Sequence, residues 1–315
     1  MPPKVDKADA IRKGLEQFGF FQTGATSSGQ VYGRCPFCYK EGHFYFSASS
    51  EQWDCKKCLK SGNFQTFFKL MSEHCAEMLD QDLLHKLWRL RGIKPATFKA
   101  WGMGHSGLAY TIPVRNLNGS VINIKRWTPG GRALSTSGSR QGLGFIGDGK
   151  MGQTVWVCEG EWDAMALWEG LKVAGLDETV CFAPGAGVLP KSQVSLFTQK
   201  DVIVAFDNDE AGKRGASKMR VTLDGVARSI KFIHWPADSL DGFDLRDYYK
   251  AHRVKQFLAL LKAMLQNEPA EWEKYKPKDA MMVPDTIKWT GAGLLHEEAG
   301  RRFTKWLQMP TSEPL

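Results

Sequence analysis

The apolar positions of this chain change period along its length, and each change marks a different kind of element. Residues from Ala8 to Phe20 alternate apolar and charged positions in the manner of a short amphipathic helix. The run His43, Phe44, Tyr45, Phe46 and on to Trp53 is aromatic and β-prone, and predicts hairpins. After a Ser61-Gly62-Asn63 turn, Phe64, Phe67, Phe68 and Met71 fall at helical spacing. Leu83, Leu84, Leu87 and Leu90 repeat that spacing up to Gly92, and Pro95 opens another short helix through Trp101. From Ala109 the pattern turns to strands: Tyr110-Ile112-Val114 and Val121-Ile122-Ile124 flank a turn from Asn116 to Gly119.

A glycine-rich basic loop follows, from Thr128 to Lys150. Beyond it, strands are predicted at 154–158, 179–183, 201–206 and 229–234. Helices are predicted between them, at about 161–174, 191–198 and 210–226. This alternation implies an α/β sandwich on a mainly parallel sheet. The segment 253–315 reads as helical, with Trp272, Tyr275, Trp289 and Trp306 set among charges.

The 315 residues suffice for two or three domains. With 43% hydrophobic and 24% charged residues the composition is globular. A net charge of +8 suits a polyanionic partner. The charged start, Met1 to Lys13, lacks an apolar core of signal type, and no later run reaches membrane-spanning length; a cytoplasmic protein with no membrane partner is expected. Three of the seven cysteines, Cys75, Cys158 and Cys181, are an odd remainder with no regular framework, which also points to a reducing compartment.

The other four cysteines are Cys35, Cys38, Cys55 and Cys58, in the pattern C-x₂-C-x₁₆-C-x₂-C. Each C-x-x-C unit can supply two thiolates to one tetrahedral ion, so the spacing predicts a structural Zn²⁺ ribbon. Lys56 and Lys57 favour thiolate in the second unit. A basic chain with an aromatic ribbon favours DNA or RNA as partner, and Phe44, Tyr45 and Trp53 are candidates for stacking on template bases. At least one of the three is expected to be buried in the ribbon core instead.

Two strand–helix junctions carry carboxylates. Val155-Trp156-Val157-Cys158 ends in Glu159-Gly160, with Asp163 following as a helix opens. Val202 to Phe206 ends in Asp207-Asn208-Asp209, with Gly212 in the next helix. Acids at the carboxyl ends of strands occupy the edge where open α/β sheets bind ligands. Glu159, Asp207 and Asp209 together suit a hard divalent cation, Mg²⁺ or Mn²⁺. Asp244, in Gly242-Phe243-Asp244-Leu245-Arg246-Asp247, is either a fourth member of that rim or a helix cap. Asp163 and Glu210, taken alone, read as acids that satisfy a helix start.

These elements resemble a known family. Glu159, Gly160 and Asp163, with Asp207, Asp209 and Gly212, look like the two motifs of the Toprim fold. The ribbon resembles the zinc-binding domain of bacterial and phage DNA primases. Its four cysteines are closer to the phage primase-helicases than to relatives with a histidine among the ligands. Arg91-Gly92-Ile93 with Phe98 and Gly102 resembles the entry to the primase core, and Ile112 to Arg115 with Gly119, Lys125 and Arg126 resembles its basic subdomain.

The resemblance implies a zinc ribbon over 1–63, a helical linker and core entry over 64–106, and a catalytic core over 107–252. That core would divide into a basic α+β subdomain (107–150) and a Toprim sheet (151–252), with a helical tail at 253–315 for docking or linkage. It implies a DNA primase making short RNA primers on single-stranded DNA from ribonucleoside triphosphates. Glu159 would be general base or metal-positioning acid, and Asp207, Asp209 and Asp244 magnesium ligands. Lys125 would be catalytic; Arg115, Lys125, Arg126 and Arg132 would face nucleotide or template, as would His43 and Trp53 on the ribbon. No helicase motor follows in these residues, so a separate replicative helicase is expected as partner, in a bacterial cytoplasm that could be that of a phage-infected host. The rival expectations are a Toprim nuclease or topoisomerase-like enzyme, and a non-catalytic DNA-binding module.

Three further signals carry less. Gly102 to Gly107 and Gly142 to Gly147 both fit G-x-G-x-x-G, but neither joins a strand to a helix as dinucleotide binding requires. Gly185 to Ser192 mimics a phosphate-binding loop, but Pro190 removes a backbone N–H from the cradle.

Overall fold

A computed structural model describes residues 7–146, 150–185, 187–252 and 254–275. Helix α1 (Lys7–Glu16) buries Ile11 and Leu15 and ends before the expected Phe20, because Gly19 turns the chain at φ +93°. Five short strands follow: β1 (Phe21–Ala25), β2 (Val31–Arg34), β3 (Phe44–Phe46), β4 (Gln52–Cys55) and β5 (Ser61–Asn63). They pair in chain order as one antiparallel sheet. Alternation along it turns Phe44, Phe46, Trp53 and Cys55 to the buried side and leaves Tyr45 half-buried.

Helix α2 (Phe64–Glu77) closes over that buried side. Asn63 caps it, its side chain accepting the Thr66 N–H at 2.9 Å, and the predicted Phe64, Phe67, Phe68 and Met71 are all buried. Helix α3 (Gln81–Arg91) is capped by Asp80 and stops at Gly92, whose φ of +74° only glycine adopts without strain. Helix α4 (Pro95–Trp101) has its proline in the first turn, where no N–H is needed. Strands β6 (Gly104–His105), β7 (Tyr110–Arg115), β8 (Val121–Trp127) and β9 (Leu134–Ser135) then form a second antiparallel sheet.

The third sheet is the α/β part. Its elements are β10 (Gly144–Phe145), β11 (Thr154–Cys158), α5 (Glu161–Val173), β12 (Thr179–Phe182), β13 (Asp201–Ala205) and α6 (Glu210–Leu223). After them come β14 (Ser229–Ile233), α7 (Leu245–Ala251), α8 (Val254–Ala263), β15 (Leu265–Gln266) and α9 (Trp272–Tyr275). The order is β10-β12-β11-β13-β14-β15; the four predicted strands run parallel, and the two short edge strands pair antiparallel. Residues 191–197 form a 3₁₀ helix where an α-helix was predicted. The edge strands escaped prediction because two residues carry no readable period. Trp289 and Trp306 lie outside the described residues.

Three apolar clusters hold these layers. On β11, Trp156 and Cys158 face one cluster, with α3, α4, β7, α5, α7 and α8, while Val155 and Val157 face another beneath α6. The parallel sheet is therefore covered on both sides, which is why its strands read as continuous apolar runs. The remaining cluster starts at Ile11 and Leu15, passes through the ribbon and α2, and ends on Val121 and Ile124 of β8. It crosses position 63/64, so the ribbon borrows from α1, α2 and β8 the apolar surface that so small a sheet lacks.

Contacts of high specificity lie along the same seam. A Cβ added at Gly14 would sit 2.4 Å from the Ser137 carbonyl oxygen, so only glycine lets α1 lie this close. The Gln17 amide donates to Ser137 Oγ and accepts the Ser137 N–H, both at 3.1 Å. Among the described residues no helix is long and apolar enough to cross a membrane.

Candidate active site and metal centre

The two C-x-x-C units fold as copies of one turn. Cys35 N–H donates to the Lys40 carbonyl at 3.0 Å and Cys55 N–H to the Lys60 carbonyl at 2.9 Å. Tyr39 and Leu59 take the left-handed conformation at the matching position of each turn. This aims all four sulfurs inward, with ligand atoms within 4.8 Å of one another. Sγ of Cys35 lies 3.9 Å from that of Cys58, and Sγ of Cys38 3.8 Å from that of Cys55. A tetrahedral ion with bonds of about 2.3 Å needs sulfurs about 3.8 Å apart, so the four fit a zinc-sized centre. Burial pushes the Cys35 thiol up, a resistance to ionising that a bound dication removes.

The second site lies at the carboxyl ends of β11 and β13, which pair directly with Cys158 opposite Ala205. This neighbouring brings Glu159 to the Asp207 backbone, whose N–H donates to Glu159 Oε2 at 3.4 Å. Gly212, in the first turn of α6, packs against Asp207: a Cβ there would fall 2.2 Å from the Asp207 carbonyl oxygen. Asp209 caps α6, accepting the Gly212 N–H at 2.6 Å with one oxygen.

None of Glu159, Asp207 and Asp209 has a cation partner among the described residues, and all three are half-buried. Burial, then the charges of Asp163, Glu159, Asp244 and Asp209, push the Asp207 carboxyl up to about 9. Burial also raises Glu159, with Asp209 adding to it against the Asp207 N–H. Asp163 is buried and is held at about 8, by burial first and Asp244 second. The rim thus concentrates negative charge without neutralising it, which fits a divalent cation. Among the described residues only the four cysteines close as tightly as 4.8 Å, so the carboxylates would share their ion with water, as Mg²⁺ prefers.

Residues 156–248, which contain this rim, match the family model described as Toprim-like. The rim belongs to a Toprim-like domain. No curated protein matches the chain. Among solved structures, a DNA primase domain from Pseudomonas aeruginosa superposes with a TM-score of 0.51 at 15% identity, over 64% of this chain and 79% of that one. The RNA polymerase domain of Mycobacterium tuberculosis primase DnaG gives 0.50 at 16%, over 64% and 83%. A DnaG primase catalytic domain bound to single-stranded DNA gives 0.50 at 17%, over 63% and 80%. The chain shares the fold of these primase cores, as the sequence motifs implied.

Around the Toprim-like rim, several cations and aromatics stand elsewhere than expected. Lys125 is largely buried and its ammonium is bound by Glu161 at 2.7 Å, so its charge is spent inside the protein. Arg115 is half-buried, with Nη2 packed at Gly102, and Arg126 is half-buried with Nε unpartnered. The β7–β8 sheet is a wall between two apolar clusters rather than an open basic surface, because both of its faces are packed. Arg132 is exposed on the following loop.

Asp244 joins the rim by its charge, but both of its oxygens are engaged: Oδ1 accepts the Asp247 N–H at 2.7 Å, and Oδ2 accepts Arg246 Nη2 at 2.8 Å. The helix-cap alternative therefore describes it, with both oxygens already hydrogen-bonded. Trp53 cannot stack on a template base. It is buried between Phe37 and Phe44, each ring centroid 5.4 Å away, and its Nε1–H donates to the Asn63 carbonyl at 2.8 Å. Phe44 is buried with it, while Tyr45 lies beside Tyr32 on the opposite face, ring centroids 5.7 Å apart. His43 is exposed beside them.

Sequence reasoning noted Arg91 only within the core-entry motif and gave no role to Arg246 or Lys250, which lie near it and near Asp244. Asp163 was read as a helix-start acid and as part of the Toprim-like motif, but not as a charged member of the rim. The signal for Asp163 was its place one helical turn beyond Glu159, on the side of α5 that faces the strand ends.

Proposed function

We propose that this protein is a DNA primase that makes short RNA primers on single-stranded DNA by nucleotidyl transfer. The observation that carries the reading is the un-neutralised cluster of Glu159, Asp207 and Asp209 at adjacent strand ends, in a fold shared with primase catalytic cores. Glu159, Asp207 and Asp209 would hold magnesium, which supplies charge neutralisation at the reacting phosphate. The raised Glu159 carboxyl suits a base that takes the proton of the primer 3′-hydroxyl. Cys35, Cys38, Cys55 and Cys58 would hold zinc, and the ribbon would read the template with its outer face, where His43, Tyr32 and Tyr45 lie.

The proposed organisation keeps the ribbon at 1–63, the core entry at 64–106, the catalytic core at 107–252 and the tail at 253–315. Arg132 remains a candidate for template contact. The reading places the protein in the cytoplasm with a separate replicative helicase. Incubation with single-stranded DNA templates, labelled ribonucleotides and Mg²⁺ tests it. Short oligonucleotides are expected, reduced about 100-fold or more by Asp207→Asn. A wild-type protein that makes none on any of a randomised set of templates would sink the reading.

A further inference from the structure

Three acids of α5 are buried: Glu161, Asp163 and Glu169. The first is paired with Lys125, and the second adds its charge to the rim. Glu169 lies almost two turns further along the helix, and its carboxylate collects donors from two other helices. Oε2 accepts the Lys94 N–H at 2.8 Å and the Thr97 hydroxyl at 2.6 Å, both at the start of α4. Oε1 accepts the Tyr249 hydroxyl, from the last turn of α7. Its ion pair is with the exposed Lys94 ammonium, at 3.9 Å. Burying a carboxylate with so distant a counter-charge costs stability. Glutamine would fill the same space but offers one accepting oxygen, whereas a carboxylate offers two, as three donors require. Burial, then Glu169 itself, push the Tyr249 hydroxyl up, so it stays a donor. The acid therefore serves to fix geometry.

That geometry leads to the rim. Helix α7 is capped by Asp244, and the residue before it, Phe243, bridges to Asn208, which lies between Asp207 and Asp209. The Asn208 N–H donates to the Phe243 carbonyl and the Gly242 N–H to the Asn208 carbonyl, both at 2.9 Å. A shift of α7 thus moves the backbone that carries two rim acids. Two side-chain ties hold α7 to α5. Near the rim the Arg246 N–H donates to Asp163 Oδ1 at 3.3 Å, a long bond, while the Tyr249–Glu169 bond at the far end is short and buried.

We infer that Glu169 is a positioning residue for the acidic rim: by way of Tyr249 it fixes α7, and α7 by way of Phe243 holds the Asp207–Asp209 turn. Its importance for metal binding rests on the primase reading; the mechanical link rests on hydrogen bonds alone. The Thr97 hydroxyl bonds the same carboxylate from α4, which among the described residues carries no hydrogen bond to Glu159, Asp207 or Asp209.

Glu169→Ala would strand three buried donors at once, so the bonds are cut singly in the full chain. Tyr249→Phe and Thr97→Val each remove one hydroxyl from the carboxylate, and are expected to lower the melting temperature by similar amounts. Only Tyr249→Phe is expected to weaken Mn²⁺ binding, by about fivefold or more in calorimetry, and to speed hydrogen exchange at the Asn208 and Gly242 amides about tenfold. Thr97→Val should leave both within about twofold of wild type. Equal effects of the two changes, or none from Tyr249→Phe, overturn the inference and leave Glu169 a residue of stability only. If the wild type binds no Mn²⁺, the metal reading of the rim falls, while the two amides still decide the positioning role. A wild type that binds Mn²⁺ but makes no oligonucleotide overturns the primase reading alone.

Discussion

Asp163 illustrates what a single buried carboxyl does to a site built around it. It accepts the Arg246 N–H at 3.3 Å, yet burial and the charge of Asp244 still hold it at about 8. A carboxyl whose folded value lies above its unfolded value of about 3.9 binds its proton more tightly in the native state. The stability it contributes is complete below that lower value and is lost as pH rises through about 8. Asp163→Asn should therefore flatten the pH dependence, raising stability at pH 8 in chelator by on the order of 1–2 kcal/mol. Denaturant melts at several pH values would show it; a slope equal to wild type would contradict the assignment. Glu159, Asp207 and Asp209 were legible because strand-end position is local. The neutralisation of Lys125 was not, because Glu161 comes from helix α5, 36 residues further along the chain.

At the scale of elements, the ribbon shows how a correct pattern leaves a face undecided. The aromatic run predicted β-structure, and the strands formed. Which alternate residues point inward was set by α2, which packs Phe67 against Trp53 at 5.9 Å between ring centroids. Trp53→Ala should thus destabilise the ribbon by about 3–5 kcal/mol, as loss of a buried aromatic does. Tyr45→Ala, on the outer face, should cost well under half of that while weakening DNA binding. Denaturant titration with a zinc-release indicator separates the two. Equal and small losses for both would place Trp53 outside the core. The knuckles, in contrast, were readable from spacing alone, since two residues between cysteines fix the turn.

For the molecule as a whole, the shared cluster from Ile11 to Ile124 ties the ribbon to the core. A Cys55→Ser change, which removes one thiolate of the four, should unfold the ribbon and spare the α/β core. The packing refines that outcome: removing zinc with a chelator should also loosen β8, whose Val121 and Ile124 rest on ribbon and α2 side chains. Hydrogen exchange should show faster amides across Val121–Trp127, with β11 and β13 protected. Unchanged protection in β8 would mean that the cluster does not couple the two parts. By itself the sequence determined the cysteine knuckles, the parallel strands and the acids at their ends, because each follows from neighbours a few residues apart. Only the tertiary structure decided which cations are neutralised inside the protein. A charge is neutralised by whatever lies within a few ångströms, and the pairing of Lys125 with Glu161 joins segments that sequence distance keeps unrelated.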